Sequence, residues 1–124
     1  MATVFLDTNY FIDAIHRKPE KQILNSLRDN IVCTSCLSLH IYCYIYKIKI
    51  PDKKVSAQKE KFLLVDFSEN ILGKALLGPT SDFEDNVQLH SAAYADCDVF
   101  LTSDKKLLNL KFFGKTRIVK QLTN

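Results

Sequence analysis

Four aspartates are spaced so that they can act together. Asp7 follows the apolar run Val4-Phe5-Leu6 and precedes Thr8-Asn9. Asp104 follows a second apolar run, Val99-Phe100-Leu101, after Thr102-Ser103. Asp82 and Asp85 open a stretch of helical spacing and stand three residues apart, which places them on one helix face. A short apolar run ending in a carboxylate suits a buried parallel strand. Ligands of such sheets bind beyond the carboxyl ends of the strands. If the two strands are neighbours, Asp7, Asp85 and Asp104 converge on one crevice. Carboxylates crowded together raise one another's pKa and need a cation to compensate. Oxygen-only ligands select hard ions such as Mg²⁺ or Mn²⁺, and water on such an ion can attack a phosphodiester. Each Asp taken singly also suits a plain helix cap. The ordered set is what points to a site.

The elements that must position these residues alternate. A strand over 4–6 leads to a helix over 10–15, capped by Thr8 or Asn9 and broken at Pro19. A second helix follows over 20–28, with Ile23, Leu24 and Leu27 at helical spacing. Asp29-Asn30 signals a turn before a strand over 31–34. Residues 37–50 are apolar and aromatic. The alternation of Tyr42, Tyr44 and Tyr46 hints at a strand, but the length favours a helix, ended by Pro51. Residues 52–61 are charged and read as a solvated loop or short helix. Residues 62–67 contain an extended piece, and Ser68 caps a helix over 69–77. After a loop at 78–81 come a helix over 82–95, a strand over 99–102, a helical turn over 107–110 and a last strand over 116–119. Strands alternating with helices predict an α/β protein, three layers deep, with a mainly parallel central sheet.

The motifs Leu6-Asp7-Thr8-Asn9, Asp82-Phe83-Glu84-Asp85 and Thr102-Ser103-Asp104, in this order, resemble a PIN domain. The resemblance covers essentially the whole chain, residues 1–124, as a single domain. It implies a metal-dependent ribonuclease fold, often the toxin of a bacterial toxin–antitoxin pair, with an antitoxin protein and RNA as partners. It assigns metal binding and catalysis to Asp7, Asp85 and Asp104, an accessory metal-binding acid to Asp82, and polar support to Thr8, Asn9 and Ser103. The family commonly places a Glu on the helix after the second strand. The matching stretch, Ser35-Cys36-Leu37-Ser38-Leu39-His40-Ile41, has no acid; Ile41 takes the position and His40 adjoins it. That gap sustains a second reading, a PIN fold that binds RNA or a protein without cleaving.

Other candidates carry less. Cys33, Cys36, His40 and Cys43 fit no common zinc spacing. His90 reads as a packed or surface histidine, and His16 as a solvated helix end. An aspartyl-phosphate phosphatase needs a second Asp where Asn9 stands, and a receiver domain needs paired acids near its first strand. Lys47, Lys49, Lys53 and Lys54 begin the densest basic region and suit RNA phosphates, with Tyr44 or Tyr46 to stack on bases. The segment 39–50 is either core or the face of a homodimer. The 124 residues, 47% hydrophobic and 25% charged, suit one soluble globular domain. The net charge of +3 permits a polyanionic partner. No apolar run approaches the roughly 20 residues of a membrane span. The chain enters a strand at once, without a signal peptide. It is expected to be cytoplasmic, with its four cysteines reduced.

Overall fold

The computed structural model describes residues 1–18 and 20–122. The helix break expected at Pro19 lies outside them. The centre is β1 (Thr3–Leu6), whose Val4, Phe5 and Leu6 have no exposed surface. A strand buried on both faces needs neighbours on both edges and helices above and below. Its neighbours are β2 (Ile31–Ser35) and β4 (Val99–Leu101), both parallel to it. The sheet continues with β3 (Leu63–Val65) beside β2 and β6 (Thr116–Val119) beside β4, also parallel. A two-residue edge strand, β5 (Phe112–Phe113), pairs antiparallel with β6. The full order is β3-β2-β1-β4-β6-β5. Strand β5 was not expected from the sequence. Its turn depends on Gly114, at φ 61°, a conformation open to glycine without steric cost.

Alternation along the strands divides the interior into two cores. Val4, Leu6, Val99 and Leu101 face one side, where Phe11, Ile12, Tyr42 and Phe62 pack on them. Phe5, Cys33, Phe100 and Ile118 face the other, beneath Ile71, Val87, Leu89 and Leu107. Phe5 and Phe100 lie stacked across the strand pair, with ring centroids 5.5 Å apart. The three-layer α/β arrangement expected from the sequence is the one observed.

The helices follow the expected order with shifted ends. Helix α1 (Thr8–Ile12) starts earlier than expected because Asp7 is its cap: Asp7 Oδ1 accepts from the Tyr10 N–H at 2.8 Å. It runs into a π-helical turn, Asp13–Arg17. Next comes α2 (Glu20–Ser26). Helix α3 (Cys36–Ile45) is capped by Ser35 and stops five residues short of the expected end. Lys47 there takes a left-handed backbone, φ 51°, a common way to end a helix. The charged stretch forms α4 (Lys53–Lys59) under an Asp52 cap. Helix α5 (Glu69–Ala75) is capped by Ser68 as expected. Helix α6 (Phe83–Tyr94) is capped by Asp82, and α7 (Lys105–Leu108) by Asp104. No helix among the described residues is long and apolar enough to cross a membrane.

Candidate active site

Leu6 and Leu101 are in register, so both strands end side by side. The Asp7 N–H donates to the Leu101 carbonyl at 3.1 Å, which locks the two tips together. The Thr102 hydroxyl donates to Asp7 Oδ2 in a short hydrogen bond and accepts from the Asp104 N–H at 3.0 Å. Thr102 thereby connects the two strand-tip acids. The N-terminal turns of α6 close the other wall. The resulting crevice, about 290 Å³, is lined by Asp7, Thr8, Asn9, Glu84, Asp85, Gln88, Ser103 and Asp104.

The structure therefore brings together Asp7, Asp85 and Asp104, with Thr8, Asn9 and Ser103 beside them. Asp82 is not in the lining. It sits just before α6 and turns Oδ1 back to accept the Asp85 N–H at 2.9 Å. Its carboxylate is occupied as a cap. Glu84, one residue before Asp85, lines the crevice instead. Glu84 and Gln88 are the site residues that the sequence reading passed over. Their signal was present: Gln88 lies three residues after Asp85 and four after Glu84, the spacing of one helix face.

Electrostatics marks the crevice as a place of unmet charge. Asp85 is pushed up to about 6, first by partial burial and then by the charges of Asp82, Asp104, Glu84 and Asp7. Burial raises Asp7 as well. The Thr102 hydroxyl and the Tyr10 N–H oppose that rise, and Asp104 and Asp13 add to it. Glu84 is raised by burial and by Asp82 and Asp7. Among the described residues, no Lys or Arg lines the crevice. Arg17 lies at its rim, where Nη2 donates to Asn9 Oδ1 at 3.0 Å and Nε pairs with Asp13 at 3.2 Å.

Four carboxylates without a lining cation are the donor chemistry of a hard divalent ion. Among the described residues, no three His, Cys, Asp or Glu side chains stand close enough to enclose an ion by themselves. An ion here would be shared between one or two carboxylates and water or ligand oxygens, the ordinary habit of Mg²⁺. Asp7, Glu84, Asp85 and Asp104 are the residues that fit it.

Helix α3 supplies no acid. Ile41 is half-buried and outside the crevice lining. One turn earlier, the Ser38 hydroxyl lies 2.9 Å from Thr8 Oγ1 and donates to Gln88 Oε1 at 3.2 Å. Lys47, Lys49, Lys53 and Lys54 are not in the lining either. They follow the far end of α3, roughly 10 Å beyond Ser38 along the helix axis. The tyrosine-rich segment divides: Tyr42 is core, whereas Tyr44 and Ile45 are exposed. His16 is exposed at the end of the π-helical turn, as its sequence context implied. Its Nδ1 lies 3.0 Å from the Tyr42 hydroxyl, and its ring packs on Tyr46. His90 is packed against Phe113, with its Nε2 hydrogen-bonded to the Gly78 carbonyl at 2.9 Å.

Solved structures share this fold. A chain of VapBC2 from Rickettsia felis, bound to promoter DNA, superposes with a TM-score of 0.65 at 15% identity, covering 94% of this chain and 97% of that one. VapC20 of Mycobacterium tuberculosis, a toxin that cleaves the sarcin–ricin loop, gives 0.62 at 12% identity, covering 92% and 98%. The FitAB structure bound to IR36 DNA gives 0.54 at 14% identity, covering 98% of each chain. At these identities the likeness establishes the fold alone. A sequence comparison with curated proteins finds no match. The PIN domain family model matches residues 3–106, a span that runs from the first strand through Asp7, α6 and Asp104, and the chain belongs to the PIN-domain family.

Proposed function

We propose that this protein is a divalent-metal-dependent endoribonuclease, and that it works as the toxin of a toxin–antitoxin pair. The observation that carries the reading is the crevice itself: four carboxylates from three chain segments, three of them at raised proton affinity, with no lining cation among the described residues. Its RNA substrate and its antitoxin partner accord with solved relatives of the same fold. One of them is a toxin that cleaves the sarcin–ricin loop, and two others are the VapBC2 and FitAB structures bound to DNA. The cytoplasm is its proposed compartment.

In this reading Asp7, Asp85, Asp104 and Glu84 are the carboxylates from which Mg²⁺ or Mn²⁺ would draw one or two ligands, with water completing its shell. Such an ion supplies a water of lowered pKa and offsets charge on the phosphate. Thr102 fixes the Asp7 carboxylate through Oδ2, while the Tyr10 N–H fixes Oδ1. Asp7 therefore enters the crevice in one orientation. Thr8, Asn9 and Ser103 offer hydroxyl and amide groups to phosphate or 2′-hydroxyl oxygens. Lys47, Lys49, Lys53 and Lys54, near the exposed Tyr44, hold the RNA backbone beyond the crevice.

The test is incubation of single-stranded and structured RNA with purified protein in Mg²⁺, in Mn²⁺ and in EDTA. Asp7→Asn and Asp85→Asn proteins run in parallel. Discrete internal cleavage is expected with either ion for the unaltered protein, and none in EDTA or with the variants. RNA bound but left intact would identify a binding module. Cleavage that survives both substitutions would place the activity elsewhere.

A further inference from the structure

Gln88 is the buried polar side chain of the crevice whose hydrogen bonding is incomplete. It is 1% exposed and lines the crevice from α6. Its Oε1 accepts from Ser35 Oγ and from Ser38 Oγ, both at 3.2 Å. The Ser35 and Ser38 hydroxyls that donate to Oε1 also lie 3.2 Å from each other. Thr8 Oγ1 lies 2.9 Å from Ser38 Oγ, and Ser35 Oγ accepts the Ser38 N–H at 3.1 Å. The carboxamide is turned with its oxygen toward β2 and α3. Its nitrogen, Nε2, has no partner among the described residues.

A buried amide nitrogen without an acceptor is costly, and folded proteins seldom leave one. Its complement is not a cation, because an N–H pair repels positive charge. It is an anionic or carbonyl oxygen entering the crevice. The neighbouring acids do not take that role, although Glu84 and Asp85 lie one turn earlier on the same helix. We infer that Gln88 Nε2 anchors a non-bridging phosphoryl oxygen of the nucleic-acid substrate at the crevice floor, with Ser35, Ser38 and Thr8 holding the amide in that orientation. This rests on the nucleic-acid reading given above. It adds an attractive contact for phosphate in a cavity whose carboxylates repel it. The hydroxyl network also occupies the region where α3 brings no carboxylate.

The experiment uses the full chain and two variants. Gln88→Met keeps the length and removes both polar atoms. Gln88→Glu keeps the acceptor for the serines and replaces the amide nitrogen with an anionic oxygen. A labelled single-stranded RNA octamer is titrated in Ca²⁺, and Mn²⁺ binding is measured separately by calorimetry. Loss of one hydrogen bond to a charged oxygen weakens RNA binding about tenfold in Gln88→Met, and Gln88→Glu weakens it further. Mn²⁺ affinity is expected to stay within about twofold for Gln88→Met and to tighten for Gln88→Glu. Unchanged RNA affinity in Gln88→Met would overturn the proposal and leave the amide a packing group, whatever Gln88→Glu does by charge repulsion. Weaker Mn²⁺ binding by Gln88→Met would also overturn it, by showing that the oxygen faces the ion. If Gln88→Met fails to fold, Gln88→Leu takes its place in the same RNA titration. An unaltered protein that binds RNA without cutting it sinks the nuclease reading but leaves this one standing; one that binds no RNA sinks both.

Discussion

Asp7 shows how one residue can satisfy two readings at once. It caps α1 through Oδ1 and lines the crevice while accepting from Thr102 through Oδ2. Asp7→Asn keeps an oxygen for the Tyr10 N–H and can offer an N–H to Thr102, whose oxygen already accepts from Asp104. It also removes a buried charge that Asp104 and Asp13 repel. The expected outcome is an unchanged or slightly higher melting temperature with metal-dependent cleavage abolished. Asp7→Ala also loses the cap and should be destabilised by about 1 kcal/mol. A large stability loss in Asp7→Asn with activity retained would reduce Asp7 to a cap. Asp85 gives a prediction in pH. Its carboxyl is raised to about 6 in the fold, from an ordinary value of 3.8. The folded state therefore binds its proton more tightly than the unfolded chain does. Stability from this group is complete below the unfolded value and is lost as pH rises through about 6. In EDTA, the melting temperature of the unaltered protein should fall relative to Asp85→Asn between pH 4 and pH 7. A difference that stays constant with pH would rule out the raised carboxyl.

At the scale of elements, the start of α6 separates an acid that caps from acids that face the site. Asp82 accepts the Asp85 N–H, and its charge contributes to the raised Asp85. Asp82→Ala should cost about 1 kcal/mol, while Asp82→Asn should cost a few tenths at most, since Asn caps as well. Neither should weaken Mn²⁺ binding as Asp85→Asn does, and denaturant melts beside calorimetric titrations would check both. Equal metal losses in Asp82→Asn and Asp85→Asn would return Asp82 to the ligand set. The sequence exposed the order of strands and helices because most strands are short apolar runs and most helices start at a capping Asp or Ser. It was less informative about ends. The π-helical turn and the stop at Lys47 depend on backbone choices that no single residue type announces. Strand β5 is two residues long and exists through its pairing with β6. Glu84 was hidden by its more familiar neighbours, and Gln88 by its lack of charge. Its importance comes from Ser35 and Ser38, some fifty residues away in sequence.

At the scale of the molecule, the net charge of +3 conceals a division. The acids of the crevice come from β1, α6 and the end of β4, and the sheet order places β1 directly beside β4. The fold therefore concentrates negative charge at one edge and opposes its own stability there, since like charges in partial burial raise each other's free energy. A bound divalent ion reverses that balance. It favours the folded state because the unfolded chain disperses the same carboxylates, and the gain follows mass action. At an ion concentration a hundred times the dissociation constant, the gain is about 2.7 kcal/mol. For a domain of this size that corresponds to a rise in melting temperature of roughly 10 °C. Millimolar Mn²⁺ should therefore raise the melting temperature well beyond an ionic-strength-matched NaCl control. Asp7→Asn and Asp85→Asn should blunt the rise, and Lys47→Ala should leave it intact because Lys47 does not line the crevice. Calorimetric scans of the four proteins with and without the ion make the comparison. A rise no greater than that given by NaCl would mean that the acids do not form a cation site, and a rise preserved in both aspartate variants would move that site to another surface.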